Sequence, residues 1–204
     1  MKISTTSITR RAASAVLAAL ALSASIGMTM AADAVAPKVK FATSEGDFVV
    51  EVYPDKAPKT VENFLQYVKD KHYDGTIFHR VIDNFMVQGG GYDGGYAEKK
   101  TRAPVVHEGR EALAKGGAKN VVGTLAMART NDPNSATSQF FINLKDNDFL
   151  NPSTQAPGYT VFGKVVSGMD VVNKIKALPT GAGGPFPTDV PRTPVVIKSA
   201  TLVN

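Results

Sequence analysis

From Val39 to Pro54 apolar and polar residues alternate in two runs, "VKFATSEGDFVVEVYP", on either side of Ser44-Glu45-Gly46-Asp47. A period of two about a turn-forming cluster predicts a β-hairpin. The period then changes. In "PKTVENFLQYVKDKHYDG" the residues Val61, Phe64, Leu65 and Val68 fall at helical spacing, with Pro58 and Thr60 suited to the start and Asp74-Gly75 to the exit. Strand-like segments follow at Thr76 to Val81, Phe85 to Gln88, Asn120 to Ala128, Ser138 to Leu144 and Tyr159 to Val166. "SGMDVVNKIKAL" returns to helical spacing through Val171, Val172, Ile175 and Leu178, and "TPVVIKSATLV" closes the chain as a strand. Many short strands with two helices predict a mainly β domain, an antiparallel sheet or barrel with helices packed on it. The connections Tyr92 to Lys119 and Pro179 to Arg192 are long enough to suggest a functional role.

One strand pair breaks the usual separation of apolar and polar residues. "FHRVIDNFMVQGGG", Phe78 to Gly91, sets Arg80 and Gln88 among strand-forming apolar side chains. Strict alternation puts Phe78 and Arg80 on one face of their strand and His79 and Val81 on the other. It pairs Met86 with Gln88, and Gln139 with Phe141. Phe140, Ile142 and Leu144 then face the interior, as do Leu125 and Met127, which leaves Ala126 and Ala128 outside. The outer surface that results mixes Arg80, Met86, Gln88, Gln139 and Phe141. An apolar surface with a few long polar groups suits a binding groove. An ordinary solvated sheet face with incidental large residues would show the same pattern.

Composition changes this picture at one end. "MKISTTSITRRAASAVLAALALSASIGMTMAADA" has Lys2, Arg10 and Arg11, then an Ala/Leu-rich run, then small residues, the three parts of a secretory signal. Ser14, Ser23, Ser25 and Gly27 make the run a poor membrane span. A retained amphipathic anchor is the competing reading, and Arg10-Arg11 alone is thin support for a twin-arginine route. Ala32-Asp33-Ala34 offers a cleavage site, with Ala31 and Ala32 as close competitors. Residues 1–34 are thus expected to be a cleaved signal, and residues 35–204 a single domain of 170 residues. The formal charge of +5 falls to about +3 once the signal's three basic residues and Asp33 are removed. That surplus is scattered, so no nucleic-acid stripe and, after cleavage, no membrane partner is expected.

Several chemistries are poorly served. With no cysteine there is no disulfide framework, thiolate nucleophile or Cys-ligated zinc, and thiol-free composition suits an oxidising compartment. His72, His79 and His107 have no metal-ligand spacing, and His79 reads as a satisfied structural histidine facing away from Arg80. No G-x-S-x-G elbow is present, and "GGGYDGG" lacks the lysine of a phosphate loop. Neither metal nor cofactor is expected.

The blocks "FHRVIDNFMVQGGGY", "GTLAMARTNDPNSATSQFFINL" and "YTVFGKVVSGMDVV" resemble, in order, those of the cyclophilins, which are peptidyl-prolyl cis–trans isomerases. The likeness runs from about Val39 to Val203. It implies a closed eight-stranded antiparallel β-barrel capped by two α-helices, with the groove on its outside. It implies catalysis by Arg80 and Gln88, and a proline pocket of Phe85, Met86, Phe141 and Leu150. Gln88 and Gln139 would align the peptide along the main chain of Ala128, Arg129 and Thr130. Phe149 stands where the eukaryotic pattern has tryptophan, Tyr159 where it has histidine, and "MART" where it has "MANA". These departures resemble the bacterial branch and, with the signal, imply a monomer in the periplasm acting on proline-containing unfolded or partly folded polypeptides. Cyclosporin would bind weakly. A non-catalytic proline-peptide binder or holdase chaperone is the alternative that the same groove would serve. "TRAPVVHEGREALAKGGAKN" matches less well and carries no assigned residue.

Overall fold

The structure, a computed structural model, describes Met1 and residues 36–203; the expected export signal lies, Met1 apart, outside the described residues. The domain consists of strands β1 (Lys38–Thr43) and β2 (Gly46–Val52), helix α1 (Pro58–Lys69), β3 (Thr76–Ile82), β4 (Met86–Asp93) and helix α2 (Gly109–Ala114). It continues with β5 (Thr124–Met127), β6 (Phe140–Asn143), β7 (Val161–Ser167), helix α3 (Met169–Lys176), β8 (Thr180–Gly183), β9 (Phe186–Pro191) and β10 (Ile197–Val203). Each long connection holds an element that its sequence did not announce. Tyr92 to Lys119 contains α2, and Pro179 to Arg192 is the β8–β9 hairpin. Three α-helices, rather than two, therefore stand among the described residues.

Eight strands form one antiparallel sheet in the order β10-β1-β2-β7-β5-β6-β4-β3. It curls into a half-barrel whose ends, β10 and β3, are not joined by a ladder. They meet through one bridge, Ile77 to Val196, and two hydrogen bonds, Phe78 N to Val195 O at 3.0 Å and Gly75 N to Ile197 O at 2.8 Å. The expected closed barrel is corrected on this point. Pro194 lies just upstream of β10, and a residue without an N–H cannot extend a ladder.

The concave face encloses an aromatic core. Phe41 stacks on Phe48 at 5.0 Å and packs on Phe140 at 5.4 Å, while Phe64 from α1 reaches Phe162 at 5.0 Å. The predicted helical stripe is right at Val61, Phe64 and Val68, and Tyr67 joins it in the interior. Helix α1 starts without a side-chain cap of its own. Its first free N–H groups, on Lys59 and Thr60, donate instead to the buried carboxylate of Glu108. A carboxylate at a helix N-terminus satisfies orphan donors and opposes the helix dipole.

Candidate active site

On the convex side a second apolar cluster is built from alternate residues of the same strands. Met86, Ala126, Phe141, Leu150 and Val161 are buried there, with Phe85, Ala128 and Tyr159 against them. Strand register explains the meeting. Gln88 pairs with Phe141 across β4–β6, and Ala126 pairs with Phe141 across β5–β6, so side chains of three strands converge. Above this floor lies a cavity of about 390 Å³. Arg80, Phe85, Met86, Gln88, Ala128, Arg129, Gln139, Phe141, Leu150 and Tyr159, all predicted from sequence, line it. Thr130 lies instead in an adjoining polar cavity, with Glu98, Thr101, Ser135 and Thr137. Phe149 is 70% exposed at the rim, its ring stacked on Phe85 at 5.8 Å.

Arg80 reaches the groove by a route that differs from simple alternation. Along β3–β4, Phe78 pairs with Gly89 and Arg80 with Gln88, so two steps on β3 face one step on β4. His79 is the extra residue of a β-bulge, and a bulge re-aims the side chains beyond it. Phe78 and Val81 therefore both belong to the aromatic core, while His79 and Arg80 both line the cavity. The expected sharing of a face by Phe78 and Arg80 is corrected, as is the placing of His79 away from Arg80. Among the described residues the buried Nδ1 of His79 has no partner at hydrogen-bond distance, and the Ile77 backbone nearby only partly offsets the burial of the ring. Burial, with Arg80 alongside, lowers its pKa from 6.5 to about 4, so the ring is neutral at pH 7.

Among the described residues the Arg80 guanidinium has no hydrogen-bond or ion-pair partner, only the face of Phe85 at 5.9 Å. Its five donors are free for a guest. Gln88 Nε2 donates to Gln139 Oε1 at 3.0 Å. The glycine run beside them makes room: a Cβ on Gly91 would fall 2.5 Å from Gln139 Cγ, and Gly90 holds a φ of +87°. Arg129 is pinned, with Nε and Nη2 donating to Gly158 O and Nη1 to Thr130 O, and its guanidinium over Tyr159 at 4.5 Å. In the main chain, Ala128 N donates to Gln139 O and Thr130 N to Ser135 Oγ. Among the described residues the C=O of Ala128 and the N–H and C=O of Arg129 are then left for an extended guest.

Residues that sequence reasoning missed support the pocket from behind and from one end. Asn147 Nδ2 donates to Phe85 O at 3.0 Å and to Asn143 Oδ1 at 2.8 Å, and Asn120 Nδ2 donates to Leu150 O at 3.1 Å. The donors of these buried amides are thus supplied with acceptors, while Asn147 Oδ1 has no partner among the described residues. The recurrence of asparagine at 143, 147 and 151, in a stretch without helical pattern, was the available signal. At the other end stand Tyr92 and Phe186.

The family profile described as "Cyclophilin type peptidyl-prolyl cis-trans isomerase/CLD" matches residues 38–202. The chain belongs to this family. The peptidyl-prolyl cis-trans isomerase B of Escherichia coli K12 is 53% identical over 167 residues, which cover 80% of this chain and 98% of that one. A peptidyl-prolyl cis-trans isomerase of Acinetobacter baylyi is 50% identical over 86% of this chain and 91% of its own. Among solved structures, a cyclophilin type isomerase of Cryptosporidium parvum superposes with a TM-score of 0.65 at 26% identity, covering 83% of this chain and 98% of that one. The same protein in the presence of the dipeptide Ala-Pro gives 0.64, at 26% identity over 82% of this chain and 99% of that one. This cyclophilin is an isomerase of the peptidyl-prolyl bond. The relatives' names favour that enzyme over a binding module, and the half-barrel is the cyclophilin fold.

Proposed function

We propose that the groove holds an X–Pro segment of an exported polypeptide and that Arg80 accelerates rotation about its peptide bond. Amide resonance keeps that bond planar behind a barrier of about 18–20 kcal/mol. At the twisted transition state resonance is lost and the prolyl nitrogen gains a lone pair. A donor directed at that nitrogen stabilises the transition state and not the planar ground state, which is the condition for catalysis. Arginine supplies charge and donors without transferring a proton. The observation that carries the reading is the guanidinium of Arg80, unpartnered among the described residues, beside the apolar pocket of Phe85, Met86, Phe141 and Leu150.

The proline ring occupies that pocket while the peptide runs as a strand along the free N–H and C=O of Arg129. The amides of Gln88 and Gln139 hold the carbonyl that swings. No covalent step is required. The basic, apolar and small-residue parts of the N-terminal segment support export to the periplasm, where such an isomerase would assist folding as a monomer. Exchange spectroscopy on an Ala-Pro peptide tests the reading: the protein should raise the cis–trans rate well above its uncatalysed value. Binding with the rate unchanged would instead favour a holdase, the role for which exposed Phe149 at the rim is suited.

A further inference from the structure

We infer that Phe186, in the β8–β9 hairpin, is a positioning residue for Arg80: its ring clamps His79 and so holds the β3 bulge that turns Arg80 into the groove. The inference rests on the reading of Arg80 given above.

A bulged residue lacks a ladder partner of its own, so between the flanking pairs, Phe78 with Gly89 and Arg80 with Gln88, the local bend depends also on what its side chain packs against. His79 is 3% exposed, stacked on Phe186 at 5.1 Å with 29° between rings, and set against Tyr92 at 4.7 Å. Phe186 and Tyr92 touch edge to face at 5.0 Å, which closes a triangle of three rings. Among the described residues the buried Nδ1 of His79 has no partner at hydrogen-bond distance, and the two neighbouring rings pack against the imidazole. Arg80, the next residue, has among the described residues only the Phe85 face to direct its head. Its aim therefore follows its backbone, which the Gln88 pairing and the clamp on His79 hold together.

The hairpin is anchored to do this. Tyr96, at a φ of +63°, lies so close over Gly183 and Gly184 that a Cβ at either would collide with it, and Tyr96 also reaches Phe186 at 6.5 Å. Phe186 belongs to neither apolar cluster, so its truncation leaves both intact. A group displaced by an ångström from its reacting atom can cost a hundredfold, so holding the bulge has kinetic weight.

The test compares Phe186→Ala, Phe186→Tyr and Arg80→Ala in an exchange assay on X–Pro peptides with different residues after proline, with the Arg80 Nε–H resonance followed by NMR. In Phe186→Ala kcat should fall about tenfold, KM should stay within about twofold of wild type, and the Arg80 resonance should shift or broaden. Phe186→Tyr, which keeps the ring, should restore both. An unmoved Arg80 resonance, or a KM change that depends on the residue after proline, overturns the clamp. Arg80→Ala with full activity overturns the catalytic assignment alone, because the resonance reads the clamp whatever the role of Arg80.

Discussion

Gln88 donates a hydrogen bond to Gln139 at 3.0 Å, joining β4 to the residue that enters β6 across the floor of the groove. The two amides then act as one unit on a guest carbonyl. Changing either to Ala should lower kcat/KM about tenfold, and the double variant should fall well short of a hundredfold, leaving a coupling of about 1 kcal/mol. A double-mutant cycle measures it. Fully additive losses would show that the two side chains act separately.

Acid should destabilise the domain through His79. Its folded pKa of about 4 lies below the ordinary 6.5, so between these values the unfolded chain binds the proton and the folded chain does not. Stability therefore falls as pH drops through that window, by up to about 3 kcal/mol from this group. His72 and His107 are also lowered by burial and act in the same direction. Urea midpoints from pH 7 to pH 4 should fall less steeply in His79→Phe. Parallel curves would place the acid sensitivity elsewhere.

Cyclosporin should bind weakly, because Phe149 offers no indole N–H at the rim. An acceptor buried without a partner costs about 1–3 kcal/mol, which is roughly a ten- to hundredfold loss of affinity. Phe149→Trp has room, since the ring is exposed and stacked on Phe85. Calorimetry should show tighter cyclosporin binding with little change in kcat/KM. Equal affinities would mean that position 149 does not meet the ligand's acceptor.

Export predicts that protein recovered from the periplasm lacks the segment through about Ala34. An intact Met1 there, by mass spectrometry, would contradict a cleaved signal.

Alternation was legible wherever strands run regularly. Met86 and Gln88, Gln139 and Phe141, and Ala126 opposite Leu125 all lie on the faces that a period of two assigns. It failed at His79, because a bulge is set by partner-strand pairing that a local pattern does not contain. Phe186 was illegible for a related reason: "GGPFP" reads as a loop, and its ring gains meaning only from Tyr92 and His79, distant in sequence. Closure of the barrel was an inference from resemblance, and Pro194 interrupts it.

The central claim is that Arg80 stabilises the twisted X–Pro bond. The most direct measurement is kcat/KM for Arg80→Ala on an X–Pro peptide, with folding checked by thermal melting. Arg80 lies outside both apolar clusters, so the variant should remain folded. A loss of at least about tenfold, near 1.4 kcal/mol of transition-state stabilisation, is the expected result. A folded Arg80→Ala protein with unchanged kcat/KM would contradict it.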